Sequence, residues 1–399
     1  MFSRLEKVRV ALKAVAEVVV AVTSQIRHSI LCLLLLIQIP ALATVLPEDR
    51  SDIMYHRYEG GGMTIDGPSV LVRKSVADTV SISANYYVDK VSSASIDVLS
   101  TASAYTEQRN EFGVGVDYLR NRTIVTLGYA NSSENDYEAE TLHFNISQDF
   151  FGDLTTLSLG YSLGSDEVGR NGDDEFSDEV DRHNFRIGLT QILTSKLLVA
   201  FNYELVAEEG FLNNPYRQVR YSDENSALGY SYESELYPRT RESDAVSMRS
   251  RYYLPYRAAL GAEYRYFSDD WGISSHSAEI NYTHPLGDRW MFDVRYRYYT
   301  QTAADFYSDL FPHAQAQNFL ARDKELSTFK SNTFGAGISY GLDLDGMPVL
   351  DRVSISLRFD HMDFQYQDFL DVTADALPGQ EPAYAFKAKV LRAYVSFLY

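Results

Sequence analysis

Val390-Leu391-Arg392-Ala393-Tyr394-Val395-Ser396-Phe397-Leu398-Tyr399 is the last stretch of the chain. With period two, Leu391, Ala393, Val395, Phe397 and Tyr399 fall on one face, and Arg392, Tyr394 and Ser396 on the other. One face is apolar and the other is wetter. A terminal edge strand of this kind would template aggregation if left unpaired, whereas a closed barrel pairs the last strand with the first.

The same alternation recurs upstream. Val80, Ile82, Ala84, Tyr86 and Val88 oppose Ser81, Ser83, Asn85, Tyr87 and Asp89, while Phe112, Val114, Val116 and Tyr118 oppose Gly113, Gly115 and Asp117. Trp290, Phe292, Val294, Tyr296 and Tyr298 oppose Asp293, Arg295 and Arg297, which is the clearest case in the chain. Weaker strands are expected over 245–253 and 275–284, and Asp52 to Glu59 reads as a short first strand that breaks at Gly60-Gly61-Gly62. Lys387 and Lys389 disturb the parity of the last strand, so a bulge or the membrane boundary is expected there. The pattern predicts about 16 strands of ~8–12 residues, with 14 as the fallback count. Short connections at 76–78, 120–122, 151–153, 194–196, 254–256, 285–288 and around Gly346 alternate with long ones at 90–110, 131–140, 165–182, 209–244, 301–326 and 364–383 and with a shorter one at 268–274. Short turns on one side and long loops on the other are what a transmembrane antiparallel β-barrel shows, and both termini are then expected at the periplasmic end.

Composition agrees with an all-β fold. After position 45 there is no run of 18 apolar residues, so the barrel must span as strands. Tyr is abundant, with 30 beside 21 Phe and 2 Trp, which suits girdles of amphipathic rings at two water–membrane interfaces. The formal charge of −19 argues against nucleic acid as a partner, and outer-membrane lipid and lipopolysaccharide are expected instead. Residues 1–43 read as a signal peptide: Arg27 and His28 precede the apolar run Ile30 to Ile39, and Ala41-Leu42-Ala43 offers a small-x-small cleavage site. The basic leader before Arg27 is longer than needed, so the signal is extended or translation starts downstream. Residues 44–399 are then the outer-membrane barrel. Cys32, the only cysteine, lies in the discarded segment, so the mature chain is expected to have neither disulfide nor Cys-based metal site.

A terminal aromatic residue preceded by alternating apolar positions resembles the C-terminal signature of bacterial outer-membrane barrels. The resemblance extends further in three stretches: Met54-Tyr55-His56-Arg57-Tyr58 to Gly62, Gly210-Phe211-Leu212-Asn213-Asn214-Pro215-Tyr216-Arg217, and Phe306-Tyr307-Ser308-Asp309-Leu310-Phe311. These resemble an uncharacterised family of exported proteobacterial proteins of ~400 residues, and the likeness covers essentially the whole mature chain. It implies no assigned activity and no catalytic residues. It also implies a place near extracytoplasmic redox or metal handling, because genes of the family neighbour a small lipoprotein, a thioredoxin-like protein and a flavin transferase; a small periplasmic lipoprotein or redox protein is the implied partner.

No motif makes the chain an enzyme. Gly160-Tyr161-Ser162-Leu163-Gly164 matches a nucleophile elbow, but its residues alternate as in a strand, where small inward residues are the better account. His143, His183, His276, His284 and His361 lack zinc spacing, and the acidic stretch Ser165 to Asp181 lacks an EF-hand register. Neither cofactor nor dedicated metal site is expected. Charged residues on the polar faces, namely Asp117, Arg186, Glu204, Glu263, Arg265, Asp293, Arg295, Arg297, Arg358 and Asp360, are the lumen-lining candidates, since each would cost a few kcal/mol in lipid. They would form either a conducting pore or a salt-bridged, plugged interior. Phe211, Asn213, Asn214, Tyr216, Phe306, Tyr307 and Phe311 are the loop candidates, in segments too apolar to lie free in water and expected to pack on each other or fold inward. Passage or docking of a small solute or periplasmic partner is the leading function. A barrel enzyme acting on lipid or lipopolysaccharide, and a structural or adhesive surface barrel, are the alternatives.

Overall fold

A computed structural model describes residues 45–93, 105–344, 347 and 349–399. The targeting segment with Cys32, the turn at Gly346 and much of the 90–110 connection lie outside the described residues. The strands are β1 (Arg50–Gly60), β2 (Met63–Ala77), β3 (Val80–Ser93), β4 (Tyr105–Arg120), β5 (Thr123–Ser133), β6 (Tyr137–Phe150), β7 (Thr155–Val168), β8 (Asp178–Thr194), β9 (Leu197–Gly210), β10 (Gln218–Ser222), β11 (Tyr230–Ser234), β12 (Thr240–Tyr253), β13 (Ala259–Asp269), β14 (Ser274–Leu286), β15 (Trp290–Gln301), β16 (Phe329–Asp343), β17 (Arg352–Leu370) and β18 (Ala383–Leu398). Sixteen of them close into one antiparallel barrel, β1 pairing with both β2 and β18, while β10 and β11 form a separate hairpin. The fallback of 14 strands is thereby excluded.

Strand length corrects the sequence reading. The barrel strands run from 11 to 19 residues, because pairing continues past the apolar band, where alternation fades and the sequence looks like loop. The 131–140 connection shrinks to Glu134-Asn135-Asp136, and β7 and β8 take up both flanks of the 165–182 segment. The expected bulge at Lys387 and Lys389 is absent: β18 keeps register with β1 through Lys389 opposite Glu59, and the irregularity falls on β17 between Gln365 and Leu370. Both lysines share the outward face of Leu391, Ala393 and Val395 and lie beyond Leu391, the last large apolar side chain of that face.

A ladder of tyrosines marks the same level around the wall. Tyr55, Tyr86, Tyr129, Tyr161, Tyr203, Tyr264 and Tyr296 each hydrogen-bond a polar side chain on the next strand of their hairpin: Asp66, Asn110, Glu140, His183, Asp244, His276 and Asn332. In every case that partner lies two positions before the residue directly opposite the tyrosine, within the diagonal reach of a long side chain. The eighth hairpin has Phe359 opposite Leu391, with Lys389 in the polar place. Crossing to the next hairpin always advances two residues: Phe112 faces Asn131, two past Tyr129; Phe185 faces Leu205, two past Tyr203; and Leu391 faces Arg57, two past Tyr55. Eight such steps give a shear of 16 on 16 strands, which sets a strand tilt of roughly 35–45°. With strands ~4.8 Å apart the backbone ring is roughly 30 Å across, wide enough for water beyond the side chains.

The two faces differ as the alternation requires. Val114, Val116, Leu127, Ile187, Val246, Val294, Ile355 and Leu357 are exposed on the outer face, which is what hydrocarbon would cover. On the other face, charged side chains bond across an intervening strand. Next-nearest strands are ~9.5 Å apart, so such bonds form only on the concave side, where side chains converge. Lysine at Val294 is therefore expected to cost ~2–4 kcal/mol near the bilayer midplane, whereas Arg295→Ser should fold normally, because Arg392 still holds Asp360 after Arg295 is lost. Folding yield in lipid vesicles measures both, and equal tolerance at 294 and 295 would overturn the face assignment.

Candidate functional site

The concave face carries ion pairs made possible by small residues on the strand between. Arg295 on β15 reaches over Gly335 of β16 to Asp360 on β17, with Nε–Oδ1 at 2.9 Å. Arg392 on β18 binds the other oxygen of Asp360 at 2.5 Å. Arg358 crosses Gly337 to Asp293, 3.5 Å away. A Cβ at Gly335 would lie 2.3 Å from Asp360, and one at Gly337 the same distance from Asp293, so any larger residue would push aside the side chains that form the bridge. Glu204 on β9 accepts from Asn184 and Arg186 of β8 and from Arg265 of β13, the last across β12. Glu263 takes Arg249 at 2.8 Å, Arg297 donates to Ser277, and Asp117 on the opposite wall takes Arg73 and Thr126. All ten charged candidates thus lie on one face, each bonded to at least one neighbour. Several guanidinium groups remain in contact with water, Arg186 with 62% of its side chain exposed.

At the end opposite the short turns, three connections fold on each other. The stretch 211–239 carries the β10–β11 hairpin, whose Arg220 and Ser222 exchange backbone hydrogen bonds with Phe311. Leu236 and Leu320 do likewise. Val219, Phe311 and Leu320 form one apolar cluster, and Tyr237, Trp271, Ile273, Ala304, Phe306, Ala321 and Leu326 another. Arg220, 0% exposed, donates to Glu381 at 2.5 and 3.1 Å, to the Asp309 carbonyl at 3.0 Å and to the Asp309 carboxylate. Arg322 reaches the second Asp309 oxygen at 3.0 Å and lies over the Phe369 ring. One buried charge cluster therefore ties together the β9–β12, β15–β16 and β17–β18 connections. Burial alone would raise the Glu381 carboxyl, but the bonds from Arg220 outweigh it and hold it below its ordinary value. At Glu235 the balance is reversed: burial, aided by Asp323, outweighs the hydrogen bond from Tyr237 and the charge of Arg217 and pushes it up to about 7, while it accepts from Tyr237 and the Arg322 backbone.

This cap turns into the barrel. Gln301, on the concave face of β15, donates to the carbonyls of Glu325 and Ser327 at 2.8 Å, anchoring the short 3-10 turn Lys324–Leu326 within the mouth. Beside that turn is a cavity of ≈530 Å3, lined by Phe211 to Arg217 except Tyr216, by Tyr137, Val168, Val180, Arg182 and Glu208 of the wall, and by Tyr237, Arg241, Trp271, Asp323, Glu325 and Leu326. Of the loop candidates, Phe211, Asn213 and Asn214 line it. Asn213 also braces the loop, donating to the Glu235 carbonyl and accepting from Tyr237 N–H. Tyr216 points away, to Asp136 and to Asn171 N–H. Phe306 and Phe311 belong to the apolar clusters, and the Tyr307 hydroxyl donates to the Asp368 carbonyl at 3.2 Å.

Sequence reasoning missed Arg182, Arg241 and Trp271 at the cavity, and Arg220, Asp309 and Glu381 in the cap. Arg182 had the right alternation but stood in a segment read as loop; Arg220 and Glu381 are 161 positions apart, and nothing local couples them. Among the described residues, Glu107, Glu134 and Asp136 bring oxygens within 4.8 Å of one another, beside the 165–181 segment, whose Gly169 N–H donates to the Asp136 carbonyl at 2.6 Å. All three are partly exposed, and nothing else there points to a cation.

The closed sheet, its apolar exterior and its charged interior define an outer-membrane β-barrel fold. The chain belongs to DUF3570, a family described as proteins of unknown function, whose model matches residues 99–368. No curated protein matches the sequence. Among solved structures, the siderophore receptor PirA from Pseudomonas aeruginosa is similar at 12% identity and a TM-score of 0.42, with 88% of this chain covered; the chain spans 63% of the receptor's length. A bacterial polysaccharide outer membrane secretin is similar at 8% identity and TM-score 0.47, covering 89% of this chain and 100% of that one. OmpT, an outer membrane protein of Vibrio cholerae, is similar at 9% identity and TM-score 0.40, covering 88% and 97%.

Proposed function

We propose that the protein resides in the outer membrane, exported by its N-terminal segment, and is a non-enzymatic conduit for small polar solutes. The observation that carries this is the interior of β8–β18. Arg186, Arg249, Arg265 and Arg358 are 41–62% exposed there although each is paired with a carboxylate. Groups so exposed on the concave face stand in water, and 16 strands leave room for a continuous aqueous path. The Gly160 to Gly164 motif supports the non-enzymatic part, because it lies inside β7 in regular register with β6 and β8 and makes no strand-to-helix turn.

Conductance in a planar bilayer tests the reading. Replacing Arg295 and Arg297 together by serine removes two positive charges from the lumen and leaves Asp293 and Asp360, so the interior field becomes more negative and the reversal potential should shift towards cation selectivity. A folded protein without conductance would overturn the conduit, and unchanged selectivity would place the two arginines off the path.

A further inference from the structure

We infer that the cavity in the barrel mouth binds a small, uncharged polyhydroxylated solute of about mono- to trisaccharide size. This deepens the conduit reading and rests on it for the path that such a solute would follow. A volume of ≈530 Å3 lies in the range of small-molecule pockets. At ~30 Å3 per molecule it would hold roughly fifteen to twenty waters, far more than a metal ion displaces.

Charge pairing in the lining narrows the chemistry. Arg182 is bonded to Asp166 and Glu208, Arg217 to Asp323, and Arg241 to Asp269. Each guanidinium already faces a carboxylate, so a ligand with net charge would have to weaken a pair that is partly shielded from water. The pairs do not exhaust the polar capacity of their members: a guanidinium has five N–H donors and a carboxylate about four acceptor sites. Donors and acceptors therefore alternate around the cavity, which suits hydroxyl groups, since each of them both donates and accepts. Asn214 adds an amide whose Nδ2 can donate, while its Oδ1 accepts from Tyr216 N–H at 2.9 Å and keeps a second lone pair. Phe211, Leu212 and Pro215 add apolar surface for the C–H faces of a ring. Arg182 also begins a polar row on the concave face of β8, followed by Asn184 and Arg186, which runs from the cavity towards the short-turn end.

The sequence has two tryptophans, Trp271 in the cavity lining and Trp290 on the outer face. The full-length Trp290→Phe protein in detergent therefore reports from the cavity alone. Its emission should change saturably with maltose or glucose in the millimolar range, and much less with phosphate or glycine at matched osmolarity. Asn214→Leu or Phe211→Ala, each checked for heat-modifiable gel mobility of the barrel and for wild-type protease resistance within 211–239, should weaken the sugar response at least tenfold. Absence of a saturable sugar response in folded protein, an equal response in both variants, or a stronger response to phosphate would overturn the site. Liposome swelling with the same sugars tests the conduit separately. Saturable binding without swelling supports the site and removes the conduit; swelling without binding keeps the conduit and removes the site.

Discussion

Removal of Phe397, Leu398 and Tyr399 is expected to abolish barrel assembly, the largest effect any small change to this chain should have. β18 is hydrogen-bonded on both sides, with Phe397 opposite Ser51 of β1 and Val353 of β17, and Leu398 opposite Arg50 and Arg352. The Leu398 carbonyl also accepts from Asp351 N–H at 2.8 Å, and the Tyr399 hydroxyl bonds Ser51 at 3.0 Å and the Arg73 carbonyl at 3.3 Å. Lys74 lies over the Tyr399 ring, 4.7 Å from its centre. Deleting the three residues leaves the ends of two strands unpaired where the barrel closes, and each unsatisfied backbone group at membrane depth costs several kcal/mol. Recovery in the membrane fraction and the mobility difference between boiled and unboiled samples measure the effect. Wild-type levels of heat-modifiable truncated protein would show that closure does not depend on these residues.

How much of this was legible in the sequence follows from the period of the signal. Where one face meets lipid, as from Trp290 to Tyr298, every second residue is constrained, and both the strand and its inward charges could be named. Beyond the apolar band both faces meet water, the alternation weakens, and pairing is held by backbone bonds that leave little trace in side-chain type; the outer ends of β7 and β8, 165–168 and 178–182, therefore look like loop in the sequence. The tyrosine ladder was legible only as composition, since its two-residue step per hairpin appears once register is known. The segments of the loop candidates were recognisable as too apolar for solvent, and Phe306, Tyr307 and Phe311 do pack into apolar clusters. Which of them line a cavity and which fill a core depends on contacts such as Tyr216 with Asp136, 80 residues apart, and no local pattern encodes those.

Arg220→Ala is expected to unfold the cap while leaving the barrel intact. The guanidinium is wholly buried and joins two carboxylates from different connections, Asp309 and Glu381, so its loss leaves Glu381 with backbone donors, Gly379 N–H at 2.7 Å and its own N–H, and leaves Asp309 to Arg322 and Leu370 N–H. Removing one partner from a buried ion network costs ~3–5 kcal/mol. That is enough to melt three loops held by apolar clusters of few residues, whereas the wall keeps all its ladder bonds and opens only at much higher free energy. Limited proteolysis should then cut within 211–239 and 302–328 in protein that still shows the mobility of a folded barrel. A triple variant with Arg220→Met, Asp309→Leu and Glu381→Leu should regain part of the resistance, because apolar replacement of a whole buried network is often neutral or stabilising. If the cap in place narrows the mouth, single-channel conductance should rise in the alanine variant and fall back in the triple variant. Unchanged protease resistance in Arg220→Ala would show that the apolar clusters alone hold the three connections together.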